Sequence, residues 1–227
     1  MTPGRKQQGQ YTEELVAIPP FGLEGLLVRP TECRAVIVFA HGSGSSRHSP
    51  RNQHVATALQ QAGFGTLLFD LLMESEAGNR NLVFDIELLA ERLMLATSWL
   101  SHRMERVAPR IGYFGASTGA AAALVAASQP DCPVGAIVSR GGRPDLAGAA
   151  LPLVTAPTLL IVGSLDREVL GLNRQAMAHM HCTTKLQIVQ GATHLFEEPG
   201  TLDQAIGHAS TWFSHHLLQS EAADVPG

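Results

Sequence analysis

A serine between two glycines, in Gly115-Ala116-Ser117-Thr118-Gly119, lies where an apolar run gives way to a helical pattern. In a nucleophile elbow the serine occupies a strained strand-to-helix turn, and the glycines avoid collisions where the backbone reverses. A serine hydroxyl is a poor nucleophile at neutral pH and needs a base to take its proton. The pattern therefore predicts Ser117 as a nucleophile for acyl transfer.

Two later side chains could activate this serine. His194 lies in Gly-Ala-Thr-His-Leu-Phe, just beyond the last predicted strand, and is the predicted general base. Asp166 follows the preceding strand and would fix the imidazole tautomer and stabilise the imidazolium. Asp145, which comes after the predicted strand ending at Ser139, remains the alternative acid.

Acyl transfer also needs hydrogen-bond donors that face the developing oxyanion. The amide of Thr118 is one predicted donor. The second is expected from the loop His41-Gly-Ser-Gly-Ser-Ser46, where small residues leave the backbone open to substrate. We predict the Ser43 amide as that donor, with Gly44 as the alternative, and expect His41 to brace the loop by hydrogen bonding.

Several arginines lie in loops at the same expected edge. Arg47 and Arg140 are candidates for binding a substrate carboxylate or phosphate, because a guanidinium offers a planar fork of donors. The alternative, which we favour, is that these loop arginines form salt bridges with Asp70, Asp85 or Asp145.

Apolar runs without alternation are separated by longer helical patterns, which is typical of parallel strands covered on both faces by helices. This alternation of strands and helices predicts a doubly wound α/β fold. The predicted strands are Glu14–Pro19, Leu23–Arg29, Ala35–Ala40, Gly65–Asp70, Arg110–Phe114, Gly135–Ser139, Thr158–Val162 and Lys185–Val189, the first two forming an antiparallel hairpin. The predicted helices are Asn52–Gln61, Ile86–Leu100, Thr118–Ser128, Val169–His181 and Leu202–Leu218.

The His-Gly-Ser-Gly loop, the elbow at Ser117, the Asp166 turn and the late His194 together resemble the dienelactone-hydrolase-like branch of the α/β hydrolases. The chain order Ser, Asp, His agrees with that superfamily. The resemblance covers roughly Glu14 to Leu217 and implies a mostly parallel sheet without a lid domain, no cofactor, and action on esters, lactones or related acyl compounds. Dienelactone hydrolases proper use a cysteine nucleophile, so the serine at 117 leaves the lactone substrate open.

The expected substrate is a small ester, thioester or lactone, cleaved through an acyl-enzyme in a shallow, open pocket. An acyltransferase that uses the same triad and a non-catalytic binding protein on a hydrolase scaffold are the alternatives. A sequence in which one triad residue is replaced would favour the binding protein, and no such replacement is visible.

Composition limits the other possibilities. The net charge of −4, from 16 basic and 20 acidic residues, offers no basic field for nucleic acid. No apolar run reaches the roughly 18 residues of a membrane span, and the N-terminus lacks the pattern of a secretory signal. The three cysteines have no metal-site spacing and indicate reduced thiols, hence a cytoplasmic protein without a metal. We expect one domain over residues 1–227, with a core at about 12–218 and flexible ends.

Overall fold

Nine strands form one mixed sheet in the computed structural model, which describes residues 5–8, 11–104 and 110–219. The spatial order is β1-β2-β3-β5-β4-β6-β7-β8-β9. The six strands from β5 to β9 in this order are parallel, and β1, β2 and β3 join antiparallel at one edge. Their bounds are β1 Arg5–Gln8, β2 Tyr11–Ile18, β3 Leu23–Pro30, β4 Ala35–Ala40, β5 Gly65–Phe69, β6 Arg110–Ala116, β7 Val134–Arg140, β8 Thr158–Gly163 and β9 Thr184–Val189.

Helices cover both faces of this sheet. One apolar cluster packs under α4, α5 and α6, and the other packs under α1 and α7. Within the described ranges, none of these helices has the length and apolar character needed to cross a bilayer. Their bounds are α1 Pro50–Gln61, α2 Glu74–Ala77, α3 Arg80–Val83, α4 Ile86–Arg103, α5 Thr118–Ala127, α6 Arg167–His179 and α7 Thr201–Phe213, with a 3-10 segment at Pro144–Leu153 and a π-helical turn at Ser214–Leu218.

The predicted α/β architecture is confirmed, including the antiparallel hairpin. The structure differs in an additional strand, one strand boundary and two short helices. Strand β1 was not predicted, because its sequence Arg-Lys-Gln-Gln carries no apolar alternation. Strand β2 begins at Tyr11 rather than Glu14. The short helices α2 and α3 have no buried residue, so no periodic pattern marks them. The tail 220–227, predicted to be loose, lies outside the described residues.

Parallel strands bring their carboxyl ends to one edge, where open α/β sheets bind ligands. The loops after β4, β6, β7, β8 and β9 meet at this edge. They carry the loop of His41, the elbow of Ser117 and the turns of Arg140, Asp166 and His194, in that order. The topology therefore gathers residues that are up to 153 positions apart in sequence, from 41 to 194, on one side of the molecule.

Candidate active site

Ser117 lies on a strained turn between β6 and α5. Its φ is 51° and its ψ is −123°, a backbone conformation that non-glycine residues rarely adopt. The flanking glycines allow the close packing that this turn requires: a Cβ on Gly119 would lie 2.1 Å from the Ala40 carbonyl oxygen, and one on Gly115 would lie 2.5 Å from the Ala120 Cα. The turn thus presents Ser117 at the carboxyl edge, at the start of a helix whose residues are all buried.

The imidazole of His194 is held by Asp166. Its Nδ1 lies 2.6 Å from Asp166 Oδ2, so Nδ1–H donates to the carboxylate and Nε2 is left free to accept a proton. The Asp166 side chain is 13% exposed and that of His194 is 39% exposed, which leaves the imidazole open toward substrate while the carboxylate is largely covered.

Two adjoining turns bring Asp166 and His194 together. Leu165 donates its amide to the Ala192 carbonyl at 3.0 Å, and the Gly191 amide donates to Ser164 Oγ at 2.9 Å. Gly163 permits this approach, because a Cβ there would lie only 2.2 Å from the Ala192 carbonyl oxygen. These contacts fix the turn after β8 to the turn after β9 independently of the contact between Asp166 and His194.

A separate brace holds the histidine loop. Glu198 accepts from the Thr193 amide at 3.1 Å and from the Thr193 hydroxyl at 2.6 Å, and these bonds lower the pKa of the Glu198 carboxyl. Phe196 is buried with a φ of 56°, a strained backbone in the same loop. In the described part of the chain, Ser117 Oγ makes no hydrogen bond, so the structure shows no direct contact between it and His194 Nε2.

The loop after β4 forms a tight turn against the elbow. Ser45 donates its amide to the Gly42 carbonyl at 3.2 Å, and Gly44 has a φ of +69°, as the third position of a type II turn requires. Gly42 lies against the nucleophile, where a Cβ would be 2.9 Å from the Ser117 Cβ. This turn carries both amides, Ser43 and Gly44, that the sequence offered as oxyanion donors.

The Ser43 amide is engaged rather than free. It donates to the Thr118 hydroxyl oxygen at 3.0 Å, a contact that joins the two predicted oxyanion residues directly. The sequence prediction considered only the backbone of Thr118 and missed its side chain. A polar residue immediately after the nucleophile is the signal that could have indicated it.

His41 braces two loops at once. Its Nδ1 donates to the Gly42 carbonyl at 3.0 Å, and its Nε2 accepts from the Leu71 amide at 3.1 Å. This pattern requires a neutral ring, and desolvation lowers the pKa of His41, although Asp70 and the Gly42 carbonyl oppose the shift. A protonated ring would lose the Leu71 bond, because both nitrogens would then be donors.

We expect His41 to make folding sensitive to acid. Because its pKa is lowered in the folded state, the unfolded chain binds more protons as pH falls below the ordinary value of 6.5. Stability from this group is therefore complete above that value and is lost progressively below it. Denaturant unfolding measured from about pH 5 to about pH 8 should show that the free energy of unfolding falls less with decreasing pH in His41→Gln than in wild type. His48→Gln, at an exposed histidine of the same loop, is the control, and equal slopes for wild type and His41→Gln would contradict this role.

The loop arginines fall into two classes. Arg47 binds the carboxylates of Asp70 and Glu24, Arg51 binds Glu197 at 3.0 Å, and Arg143 holds Asp145 through two bonds of 2.9 and 2.8 Å. Salt bridges with Asp70 and Asp145 are those that the sequence offered as the alternative to ligand binding. Arg140 differs, because no carboxylate among the described residues contacts it.

Asp85 forms no salt bridge with these arginines among the described contacts. It caps α4 instead, accepting from the Leu88 amide at 3.0 Å. The engagement of Asp145 by Arg143 likewise leaves Asp166 as the carboxylate that contacts His194.

A cavity of about 850 Å³ lies beside the oxyanion loop. Its walls come from the β2–β3 turn, the loops after β4 and β5, and the helices α2 to α4, and its apolar side includes Leu72, Met73, Val83 and Leu89. Helices α2 and α3 line part of this cavity, and neither Ser117 nor His194 is among its lining residues. Among the described residues, no three His, Cys, Asp or Glu side chains come together to hold a metal, and Cys33, Cys132 and Cys182 are free.

Comparison with known proteins places this chain in a family. The model of the dienelactone hydrolase family matches residues 23–212. A Mycobacterium tuberculosis protein that bears the name "Putative phosphoribosyl transferase" is 57% identical over 205 residues, covering 90% of this chain and 46% of that protein. The chain therefore spans about half the length of the curated relatives that it matches.

Solved structures agree with the family match. A dienelactone hydrolase from Anabaena variabilis is 48% identical, with a TM-score of 0.86 over 96% of this chain and 100% of that chain. Est1E from Butyrivibrio proteoclasticus is 13% identical, with a TM-score of 0.74 over 91% of this chain and 99% of that chain, which shows a shared fold.

Proposed function

Since this chain belongs to the dienelactone hydrolase family, we propose that it is a serine hydrolase that cleaves a small carboxylic ester, thioester or lactone through an acyl-enzyme. The observation that carries this proposal is the strained Ser117 elbow at the same sheet edge as the His194–Asp166 pair, whose atoms lie 2.6 Å apart. In this proposal Ser117 is the nucleophile, His194 is the general base and Asp166 is the acid that orients the histidine.

In the first half-reaction, Ser117 Oγ attacks the substrate carbonyl carbon while His194 Nε2 takes the hydroxyl proton. The carbonyl oxygen becomes an oxyanion, which the amide and the hydroxyl of Thr118 stabilise, since the Ser43 amide already donates to the oxygen of that hydroxyl. The tetrahedral intermediate then collapses, the bond to the leaving group breaks, and His194 returns its proton to that group. An ester now joins the acyl group to Ser117, and Asp166 has stabilised the imidazolium throughout.

In the second half-reaction, water replaces the leaving group. His194 takes a proton from the water as the water oxygen attacks the acyl carbon, and the same two donors of Thr118 stabilise the oxyanion. Collapse releases the carboxylic acid and returns the proton to Ser117 Oγ. The exposed fraction of His194, 39%, is consistent with a base that water can reach.

The Thr118 hydroxyl has a role of its own in this account. Its oxygen accepts the Ser43 amide at 3.0 Å, so its proton can point toward the oxyanion and the loop is held in register. We expect Thr118→Val to lower kcat about 10- to 100-fold, somewhat less than the loss of a dedicated donor. Thr118→Ser, which keeps the hydroxyl, should recover most of the rate. Steady-state kinetics decide the matter, and equal rates for the serine and valine variants would contradict this role.

The proposed activity is tested with p-nitrophenyl acetate, butyrate, octanoate and palmitate. We expect release of p-nitrophenol from the short esters, with a burst equal to the enzyme concentration if deacylation is the slower half-reaction. The cavity of about 850 Å³ borders the His41 to Ser46 loop, and Ser117 and His194 are not among its lining residues, so the panel of chain lengths also tests whether acyl groups reach it. Folded protein that hydrolyses none of the four esters would contradict the proposal.

The same measurements distinguish two alternative functions from the proposed one. An acyltransferase would transfer the acyl group to an added alcohol in preference to water, which product analysis detects. A binding protein on this scaffold would show neither burst nor turnover. Phosphoribosyl transfer rests only on the name of relatives about twice as long, and no contact in the described residues favours it.

A further inference from the structure

Asn173 is a polar residue in the middle of the buried face of α6. That face is formed by Val169, Asn173 and Ala176, and Asn173 is 0% exposed. Residues at this spacing face the core, where an apolar side chain is the usual occupant. The Oδ1 atom of Asn173 is buried without a hydrogen-bond partner among the described residues, which costs stability. The acceptor therefore does not explain this asparagine, which leaves the two donors of its amide.

The Asn173 amide donates to two carbonyls. Its Nδ2 lies 3.0 Å from the carbonyl oxygen of Gly142 and 2.8 Å from that of Val169. Both partners are acceptors, so exchanging Nδ2 and Oδ1 would place Oδ1 against two carbonyl oxygens, and the orientation of the amide is fixed. The bond to Val169 lies within α6, whereas the bond to Gly142 crosses to the loop after β7. Asn173 thus joins the helix that follows Asp166 to a separate loop of the catalytic edge.

The peptide unit between Gly142 and Arg143 contacts the nucleophile elbow directly. Its carbonyl accepts the bond from α6, and its amide, at the other end of the same planar unit, donates to the Ser117 carbonyl at 3.0 Å. The unit packs closely against α5, because a Cβ on Gly142 would lie 2.6 Å from the Ala120 Cβ. A side chain at position 142 would therefore push this unit away from the elbow.

A second peptide unit leads from Ser117 to the oxyanion donor. The Ser117 carbonyl accepts from the Arg143 amide and, at 3.1 Å, from the Ala120 amide. The Thr118 amide belongs to the same planar unit and points away from that carbonyl, because the peptide bond is trans. It lies in the first turn of α5, where amide hydrogens have no partner within the helix. The orientation of the Ser117 carbonyl therefore determines the direction of the Thr118 donor.

We propose that Asn173 is a positioning residue for the oxyanion donor of Thr118. It acts through two peptide units in series, Gly142–Arg143 and Ser117–Thr118, each of which accepts a hydrogen bond at its oxygen and donates one at its nitrogen. The series fixes the direction of the Thr118 amide and polarises it, because hydrogen bonds in a chain strengthen one another. No proton moves along the series. The proposal rests on the proposed hydrolase function and adds a residue to its machinery.

The effect of Asn173 belongs to the transition state rather than to the bound substrate. As the oxyanion forms, it draws on the Thr118 hydrogen and makes the Ser117 carbonyl oxygen more negative. The bond from Arg143 then strengthens, and the bond from Asn173 strengthens in turn. Interactions that are stronger in the transition state than in the ground state raise kcat without lowering KM.

The kinetic test replaces Asn173 with leucine, which has a similar size and no donor. We expect Asn173→Leu to lower kcat for p-nitrophenyl butyrate about tenfold and to change KM less than about twofold, a smaller loss than the roughly 100- to 1000-fold of a direct oxyanion donor. Asn52→Leu is the matched control, because Asn52, on α1, is 4% exposed and also has a buried Oδ1 without a partner among the described residues. Equal kcat losses in the two variants, or a loss confined to KM, would overturn the proposal.

A second measurement needs no variant at Asn173. Ser117 Oγ adds to the carbonyl carbon of a trifluoromethyl ketone while His194 takes the hydroxyl proton, which gives a hemiketal whose oxygen carries the negative charge. In isotope-labelled wild type, the proton resonance of the Asn173 side-chain amide should move downfield when this adduct forms, and that of Asn52 should not. An unchanged Asn173 resonance would overturn the proposal even if Asn173→Leu fails to fold.

The outcomes separate this role from the hydrolase function. Wild type that cleaves no ester and forms no ketone adduct contradicts both proposals. Wild type that does both, while kcat of Asn173→Leu stays within about threefold of wild type, overturns the role of Asn173 alone and leaves the hydrolase function standing.

Discussion

Replacing Asp166 with asparagine should lower kcat about 10⁴-fold while leaving KM nearly unchanged. The carboxylate accepts the His194 Nδ1 proton at 2.6 Å and leaves Nε2 unprotonated for Ser117. An asparagine can present its amide to the ring and favour the opposite tautomer, with the proton on Nε2. The substitution keeps the size of the side chain, so the loss measures the orientation and stabilisation of the imidazole.

Asp145→Asn is the matched control for this measurement. Asp145 is the carboxylate that the sequence offered as a rival, and in the structure Arg143 holds both of its oxygens at 2.9 and 2.8 Å. We expect this variant to keep kcat within a few-fold of wild type. If Asp145→Asn loses activity as severely and Asp166→Asn does not, the assignment of the orienting acid is wrong.

Replacing Ser117 with alanine should have the largest effect, a loss of about 10⁶-fold in kcat. The neighbouring hydroxyl of Thr118 is held by the Ser43 amide and does not replace the nucleophile, so residual catalysis would come from the oxyanion donors and substrate binding alone. Active-site titration of wild type should yield one acylated site per chain, whereas the variant should show no burst.

The stability of Ser117→Ala distinguishes lost chemistry from lost structure. Alanine has the same Cβ and must adopt the same φ of 51°, so the strain of the turn remains. Ser117 Oγ makes no hydrogen bond among the described residues, so its removal leaves no unpaired group. We therefore expect a free energy of unfolding within about 0.5 kcal/mol of wild type. Substantial ester turnover by a pure, folded variant would contradict the nucleophile assignment.

The sequence predicted elements and their order better than it predicted contacts. Apolar runs marked β4 to β8 because buried parallel strands need continuous apolar residues, and the order of strand ends then placed Ser117, Asp166 and His194 at one edge. Strand β1 gave no such signal, since an edge strand can pair through its backbone with a polar sequence.

Side-chain partners were harder to predict, because they depend on distances between loops. The sequence offered Arg47 and Arg140 equally as candidates for binding an anion. In the structure Arg47 binds two carboxylates, and Arg140 contacts none among the described residues. The bond between the Ser43 amide and the Thr118 hydroxyl joins residues 75 positions apart, so the sequence shows the hydroxyl after the nucleophile but not its partner. Local periodicity indicates burial, whereas the partner of a polar group depends on the packed fold.

The central claim, that Ser117 is an activated nucleophile, is tested most directly by a fluorophosphonate probe followed by peptide mass spectrometry. The account predicts one adduct per chain, on the peptide containing Ser117, with labelling that slows in Asp166→Asn and disappears in Ser117→Ala. An intact, folded wild-type protein that gains no adduct, or that carries the adduct on another residue, would contradict it.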